Sequence, residues 1–385
     1  MKFAAVGDPA NDNKETMKLN ALLTSIVMTL TANCSAQDWP ALWKSYVAGF
    51  MDNQVRVIDH DANDRTTSEG QAYAMFFALV ANDRPRFDGL LHWTEMNLAS
   101  GDLTSHLPAW SWGKAANGKW GVIDINSASD ADIWIAYTLL EAGAAWREAH
   151  YTWLGTALAK KIAAEEVTEI SGFGTMLLPG ARGFHNGNAY RLNASYLPLQ
   201  VFVRLGRALP DGPWQQIATK IPDVIRGSSP NGFSSDWSEF KADKGLVPSA
   251  PGSYDAIRVY LWAGMLDPAT SGTDEILKAI PGMARYLHTN AVPPAKVKVD
   301  GTIVDAKGPV GFSGALIPYL SALGEQNLEN EQTSRLQAEF NAKSGLYGNP
   351  ARYYDQNLIL FALGWKAHQF WFDGQGGLQI AWSKH

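Results

Sequence analysis

Asn126-Ser127-Ala128-Ser129-Asp130-Ala131-Asp132 opens a run over residues 129–146 in which apolar residues recur at three- and four-residue spacing. That period belongs to a helix. The run is entered from Ser100–Ser127, a long segment in which the period fails, and the same contrast repeats along the chain. Helices are expected over 39–51, 68–81, 84–99, 129–146, 150–168, 195–207, 212–226, 254–265, 272–288, 310–324, 328–342 and 352–366. Long irregular segments are expected at Ser100–Ser127, Ser171–Asn193 and Gly227–Ser253, with a shorter one around Val292–Lys307. The last has the pattern of a hairpin, Val297-Lys298-Val299 and Thr302-Ile303-Val304 around the two-residue turn signal Asp300-Gly301.

The long segments come before the fourth, sixth and eighth helices, whereas the second, sixth and tenth are followed within a few residues by the next. If helices alternate between an inner and an outer layer, all inner helices run in one direction and their N-termini share a rim. Long loops entering that rim build a cleft there, since long connections in compact domains are usually functional. About twelve helices in alternating layers make an all-α fold, an (α/α)6 barrel with a minor β-hairpin component.

The composition agrees with one large cored domain. Of 385 residues, 46% are hydrophobic and 18% charged, with a net charge of -6, which excludes disordered, collagenous and multi-span membrane chains. Mild acidity offers no basic face to a phosphate backbone, so nucleic acid is excluded as a partner. The 15 tryptophans exceed what core packing needs. Near the start, Met17 and Lys18, the apolar stretch Ala21–Ala32 and the small residues Cys34-Ser35-Ala36 read as a secretory signal with cleavage before Gln37. Residues 1–36 are therefore expected to be an N-terminal extension and signal, and 37–385 a single catalytic barrel, periplasmic or secreted. Cys34 is the one cysteine and would leave with the signal, which removes disulfides and thiolate chemistry. No apolar stretch reaches the roughly 20 residues that span a bilayer.

Carboxylates gather at the starts of alternate helices: Glu69 in Thr67-Ser68-Glu69-Gly70-Gln71, Asp130 in Ser129-Asp130-Ala131, and Asp255 in Ser253-Tyr254-Asp255-Ala256. Tyr196 stands at the start of the sixth. Acids in a first helical turn often do no more than offset the helix dipole. Three on one rim, however, suit glycoside hydrolysis, in which one carboxylic acid protonates the leaving oxygen and a second, ionised, activates water. Trp110, Trp112 and Trp120 crowd one long loop and Trp237 another, where indoles can stack on sugar faces. Trp43, Trp93 and Trp146, inside helices, are assigned to the core, and Trp134 fits either role. No paired histidine spacing occurs and Asp130-Ala131-Asp132 is too small a ligand set, so no metal is expected.

The segments Thr67–Tyr73, Ala128–Asp132 through Ile135-Ala136 to Trp146, and Ser253–Arg258 resemble the signature segments of glycoside hydrolase family 8. The likeness extends to Leu107–Trp110, Met176–Gly180 and Gly308–Ser313, in order, from about Asp38 to the C-terminal region. It implies an (α/α)6 barrel and endo-acting, inverting hydrolysis of β-1,4-glucan with no cofactor. By position, Glu69 matches the general acid, Asp255 the general base, Asp130 the carboxylate holding the distorted sugar, Tyr196 the phenol that helps place the water, and Arg258 the arginine one turn after the base. Within the family the likeness is to glucanases that accompany bacterial cellulose synthase, which implies cellulose or cello-oligosaccharide as partner and a functional association with the synthase; a monomer is expected. Ala131, Thr138 and Ala194 depart from the usual residues, the last beside Tyr196. Glu69 is expected to be kept protonated by burial or by Asp130, and Asp255 ionised by Arg258. Competing readings keep the fold but change the sugar to chitosan, xylan or mixed-linkage glucan, or make the chain a non-catalytic glucan-binding partner of the synthase. Glu69 and Asp255 together argue against the last.

Overall fold

The computed structural model describes residues 38–187 and 189–383; the expected signal segment and Cys34 lie outside them. Thirteen α-helices occur among the described residues. In chain order they are α1 (Trp39–Phe50), α2 (Ser68–Val80), α3 (Arg84–Leu98), α4 (Ser129–Ala145), α5 (Ala149–Glu165), α6 (Leu199–Ala208), α7 (Trp214–Gly227), α8 (Ile257–Gly264), α9 (Thr273–Ala279), α10 (Gly282–Leu287), α11 (Val310–Ala322), α12 (Gln326–Ala338) and α13 (Tyr353–Lys366).

Burial sorts them into layers. Helices α2, α4, α8, α11 and α13 are buried at nearly every position, and a helix apolar all round must be enclosed by others. With α6 they form the inner layer. Five inner helices pack on the outer helix that follows, α2 on α3, α4 on α5, α6 on α7, α8 on α9 and α11 on α12. The ring closes where α1 packs on α13, and there the Trp39 indole donates to the Leu360 carbonyl at 2.9 Å. The fold is the expected (α/α)6 barrel, with α9 and α10 together filling one outer position.

The barrel axis is packed with rings. Trp134 meets Trp262 at 5.2 Å and Phe361 at 5.4 Å, and Tyr73 meets Phe361 at 5.1 Å. Trp134 is wholly buried, so of its two readings the core one holds, as it does for Trp43 and Trp93. Inner helices approach closely where a side chain is missing: a Cβ on Gly264 would lie 2.1 Å from the Tyr319 amide nitrogen. Only glycine lets α8 and α11 meet there.

Proline accounts for the main departures from the expected helices. The helix expected over 272–288 breaks at Pro281, which has no N–H and pushes Ile280 to φ -121°, ψ 43°. The helix expected from residue 195 begins only at Leu199, after Pro198, and Ala194–Tyr196 forms a separate 3-10 turn. The hairpin near residue 300 forms, but through a three-residue loop: Lys298 N–H bonds Thr302 O at 2.8 Å and Gly301 takes φ 87°, the bulged alternative to a two-residue turn.

The segments expected to be irregular contain short antiparallel strands. Ser111–Lys114 pairs with Trp120–Asp124 and with Thr66–Thr67 just before α2. Strands His185–Asn186, Ala189–Leu192, Ser238–Lys241 and Gly245–Pro248 form a four-stranded sheet from the other two long segments. These strands are two to five residues long, too short for their alternation to stand out against a helical background.

Candidate active site

The starts of the inner helices do share a rim. Glu69 is the second residue of α2, whose first turn is capped by Thr67 Oγ1 accepting from Gly70 N–H at 3.1 Å. Asp130 is the second residue of α4, and its Oδ1 accepts from the Ala131 N–H at 2.8 Å. Asp255 differs from expectation, lying in a tight turn just before α8 and not in the helix. The cause is Asp236, reaching in from a loop. Its carboxylate takes the N–H of Ser253 at 2.6 Å, the Ser253 hydroxyl at 2.5 Å and the N–H of Ala256 at 2.8 Å. It thus caps the turn from outside the helix.

Arg258, the second residue of α8, joins the carboxylates. Its Nη1 donates to Glu69 Oε2, to Asp130 Oδ2 at 2.7 Å and to the Tyr73 hydroxyl at 3.2 Å, while Nη2 donates to Asp255 Oδ1 at 2.9 Å. A planar guanidinium with donors in a fixed fork can hold several oxygens in set directions, which a lysine could not do. Arg258 is itself buried and its guanidinium lies 5.4 Å from the Tyr196 ring. Beside this cluster is a pocket of about 230 Å³ lined by Arg65, Glu69, Trp110, Asp130, Tyr196 and Tyr354, among others.

The electrostatics separate the acids. Burial pushes Glu69 up to about 8, against the pull of Arg258 and with help from Asp130 and Asp255. It is therefore held protonated at neutral pH even though it stands at a helix N-terminus, where an anion is normally favoured. Burial also raises Asp255, opposed by Arg258 and assisted by Asp236. Asp255 keeps 29% of its side-chain surface open against 19% for Glu69, so Asp255 is the better placed of the two to meet water. Burial, and then Asp130, drive Tyr196 well above the ordinary phenol value, which keeps it a neutral hydroxyl.

The tryptophans divide. Trp110 lines the pocket, with the Arg65 guanidinium 5.3 Å from its ring. Trp237 lies 6.2 Å from Tyr196, stacked on Phe184 at 6.0 Å and covered by Arg191 at 3.9 Å. Trp112 and Trp120 are not brought to the pocket wall. They stack on each other at 5.3 Å, with Arg56 5.0 and 5.2 Å from their rings and Trp93 5.3 Å from Trp112. Sequence reasoning gave no role to Tyr73, Asp236, Arg65 or Tyr354. Tyr73 was legible in principle, four residues after Glu69 and so on its helical face. Asp236 was not, because nothing local relates it to a turn 17 residues away.

Two carboxyls joined by one arginine at the rim of a double layer of helices, one of them held protonated at neutral pH, with an indole in the wall beside them, suit a protein of the glycoside-hydrolase class. A family model for glycosyl hydrolases family 8 matches residues 16–368, and the chain belongs to that family. It is 42% identical over 373 residues to an endoglucanase of Escherichia coli O157:H7, covering 95% of this chain and 97% of that one. It is 44% identical over 375 residues to an endoglucanase of Salmonella typhi, with the same coverage. The crystal structure of endo-1,4-D-glucanase from Vibrio fischeri ES114 superposes with a TM-score of 0.83 at 40% identity, over 89% of this chain and 99% of that one.

Proposed function

We propose that the chain cleaves internal β-1,4-glucosidic bonds of glucan chains with inversion at the anomeric carbon. The observation that carries this reading is Arg258, which holds a protonatable acid and a base on different nitrogens beside the pocket. The endoglucanase relatives support β-1,4-glucan as the substrate. A glucan chain lies across the rim with one ring against Trp110. Glu69 passes its proton to the glycosidic oxygen as the bond to the anomeric carbon breaks. Water attacks the opposite face and gives a proton to Asp255, so each turnover leaves Glu69 ionised and Asp255 protonated until solvent restores them. Asp130 takes a hydrogen bond from the distorted sugar, and the neutral Tyr196 hydroxyl orients the water. Arg258 keeps the three carboxylates in register and favours the ionised form of the base.

Incubation with carboxymethylcellulose, chitosan, xylan and mixed-linkage glucan tests the substrate, and NMR of the new end tests the stereochemistry. Reducing ends are expected from the cellulose derivative, with the α-anomer appearing first; the β-anomer first, or no release, overturns the reading. Export as a periplasmic or secreted protein, cleaved before Gln37, belongs to the same proposal. It is supported by Lys18 and the apolar Ala21–Ala32, while no helix among the described residues is long and apolar enough to cross a membrane. N-terminal sequencing of the exported protein checks it. A monomeric state and action alongside cellulose synthase complete the proposal, to be tested by gel filtration and co-purification.

A further inference from the structure

Two residues after Asp130, the chain carries an acid that the reaction does not use. Asp132 is wholly buried and neither of its carboxyl oxygens has a hydrogen-bond donor. Within hydrogen-bonding reach of it is Glu166, immediately past α5 and 1% exposed. Glu166 Oε1 accepts from the Ser127 hydroxyl at 2.5 Å, and its Oε2 has no donor. An ionised carboxylate only accepts hydrogen bonds, so two ionised groups here would leave three buried oxygens unpaired and two like charges in contact. One proton removes the contact between like charges and leaves one of the three oxygens unpaired, the uncharged carbonyl oxygen of Asp132, because a protonated Asp132 donates to Glu166 Oε2 and Glu166 stays a carboxylate bonded on both oxygens.

The same contacts tie the entrance of α4 to its surroundings. Ser127 Oγ accepts from the Ala181 N–H at 3.0 Å, Ser129 N–H donates to Pro179 O at 3.0 Å, and Leu178 N–H donates to Glu166 O at 2.8 Å. The first turn of α4 is thereby fixed from its outer side. On its inner side the next carboxylate, Asp130, meets Arg258. We propose that Asp132 and Glu166 share one proton in a buried acid–carboxylate bond, and that this bond is a positioning device that aims Asp130 at the sugar.

The charges around the pair agree. Burial raises both carboxyls; Glu166 further raises Asp132, whereas hydrogen bonds from Ser127 and Asp132 hold Glu166 down. Of the elements packed on this end of α4, α5 contributes Glu165, itself bonded to Lys161 at 2.6 Å. Helix α2 contributes Glu69 beyond Asp130, and residues 178–181 contribute no charge. Arg204 of α6 is engaged with Glu141, more than two turns along α4. A carboxyl held protonated in the fold above its unfolded value adds stability that is complete at acid pH and is lost as pH rises through the folded value.

The test uses the full chain with Asp132→Asn, which keeps a donor toward Glu166 but cannot ionise, and Asp132→Ala, which keeps neither. Asp132→Ala is expected to lower kcat by roughly ten- to a hundredfold through misplacement of Asp130, with KM little changed. Asp132→Asn is expected to recover most of that loss and to flatten the fall in melting temperature between neutral and alkaline pH. In a Glu69→Gln background, which removes the signal of that acid, infrared spectroscopy at neutral pH should show a protonated carboxyl band that Asp132→Asn abolishes. The infrared result decides the protonation even where the alanine variant does not fold. A band that survives Asp132→Asn, or an asparagine variant as impaired as the alanine one, overturns the proposal.

Discussion

Replacing Arg258 by methionine removes the cation shared by Glu69, Asp130 and Asp255, and its effect can be worked out from the contacts. Charge centres in such pairs stand about 4 Å apart, where the attraction at an effective dielectric near 20 is about 4 kcal/mol. At about 1.36 kcal/mol per pH unit, that is about 3 units of pull toward ionisation. Glu69 and Asp255 keep 19% and 29% of their side-chain surface open to the cleft, and water there weakens the field, so roughly 1 to 2 units are expected. Arg258 lowers both groups, and its loss therefore raises both. In a profile of kcat/KM against pH, the acid limb reports Asp255 losing its proton and the alkaline limb reports Glu69 losing its own. Both limbs should move to higher pH together while the maximum falls. The assay is reducing-end release from a soluble cello-oligosaccharide across about pH 4 to about pH 9. Stability should fall as well, by about 3–5 kcal/mol for a broken buried pair, with a definite sign in pH. The raised Glu69 contributes stability that is complete at acid pH and drains away toward about 8, so the variant should lose little at acid pH and most at alkaline pH. Limbs that stay in place, or that move toward acid, would refute the account of Arg258.

Glu69→Gln should reduce turnover by about 10²- to 10⁴-fold, the usual contribution of a general acid, with cello-oligosaccharide binding by calorimetry nearly unchanged; near-normal turnover would remove Glu69 from its role. Trp110→Ala should raise KM by roughly tenfold, for a loss of about 1–2 kcal/mol of apolar contact, and leave the melting temperature close to wild type. Trp112→Ala should do the reverse, since its ring is spent on Trp93, Trp120 and Arg56; the two variants compared by kinetics and thermal melts check the division. Gly70→Ala places a Cβ 2.4 Å from the buried Tyr353 hydroxyl, and should cost about 1–3 kcal/mol of stability, read in urea unfolding, together with a loss of kcat as the first turn of α2 is displaced.

The helices were legible because apolar residues recur at three- and four-residue spacing, and their sorting into two layers came from the order of long and short connections. The shared rim followed from connection lengths alone, and with it the meeting of Glu69, Asp130 and Asp255. Other features depend on contacts that a local reading does not contain. Asp255 fell outside its expected helix because Asp236, distant in sequence, caps the turn. Trp112 and Trp120 stack on each other away from the pocket wall, Trp120 still exposed, and position in a loop does not say which stretch of the rim an indole faces. Arg258 was expected to serve the base, but it contacts all three carboxylates, and only packing α2, α4 and α8 side by side puts Glu69 and Asp130 within its reach.

The seam between α1 and α13 bears on how the molecule is made. The Trp39 indole finds its acceptor on Leu360, 321 residues away, so the outer helix formed first, although its Trp43 and Tyr46 also meet Phe77 of α2, is not fully seated until the helix formed last exists. A closed ring of this kind has no stopping place short of the whole. During synthesis the preceding helices can pair locally, but the apolar flanks of α2 and α11 beside the missing position stay uncovered. Folding is therefore late and long-range, and a chain lacking residues 353–366 should behave as an open, sticky intermediate and not as a smaller barrel.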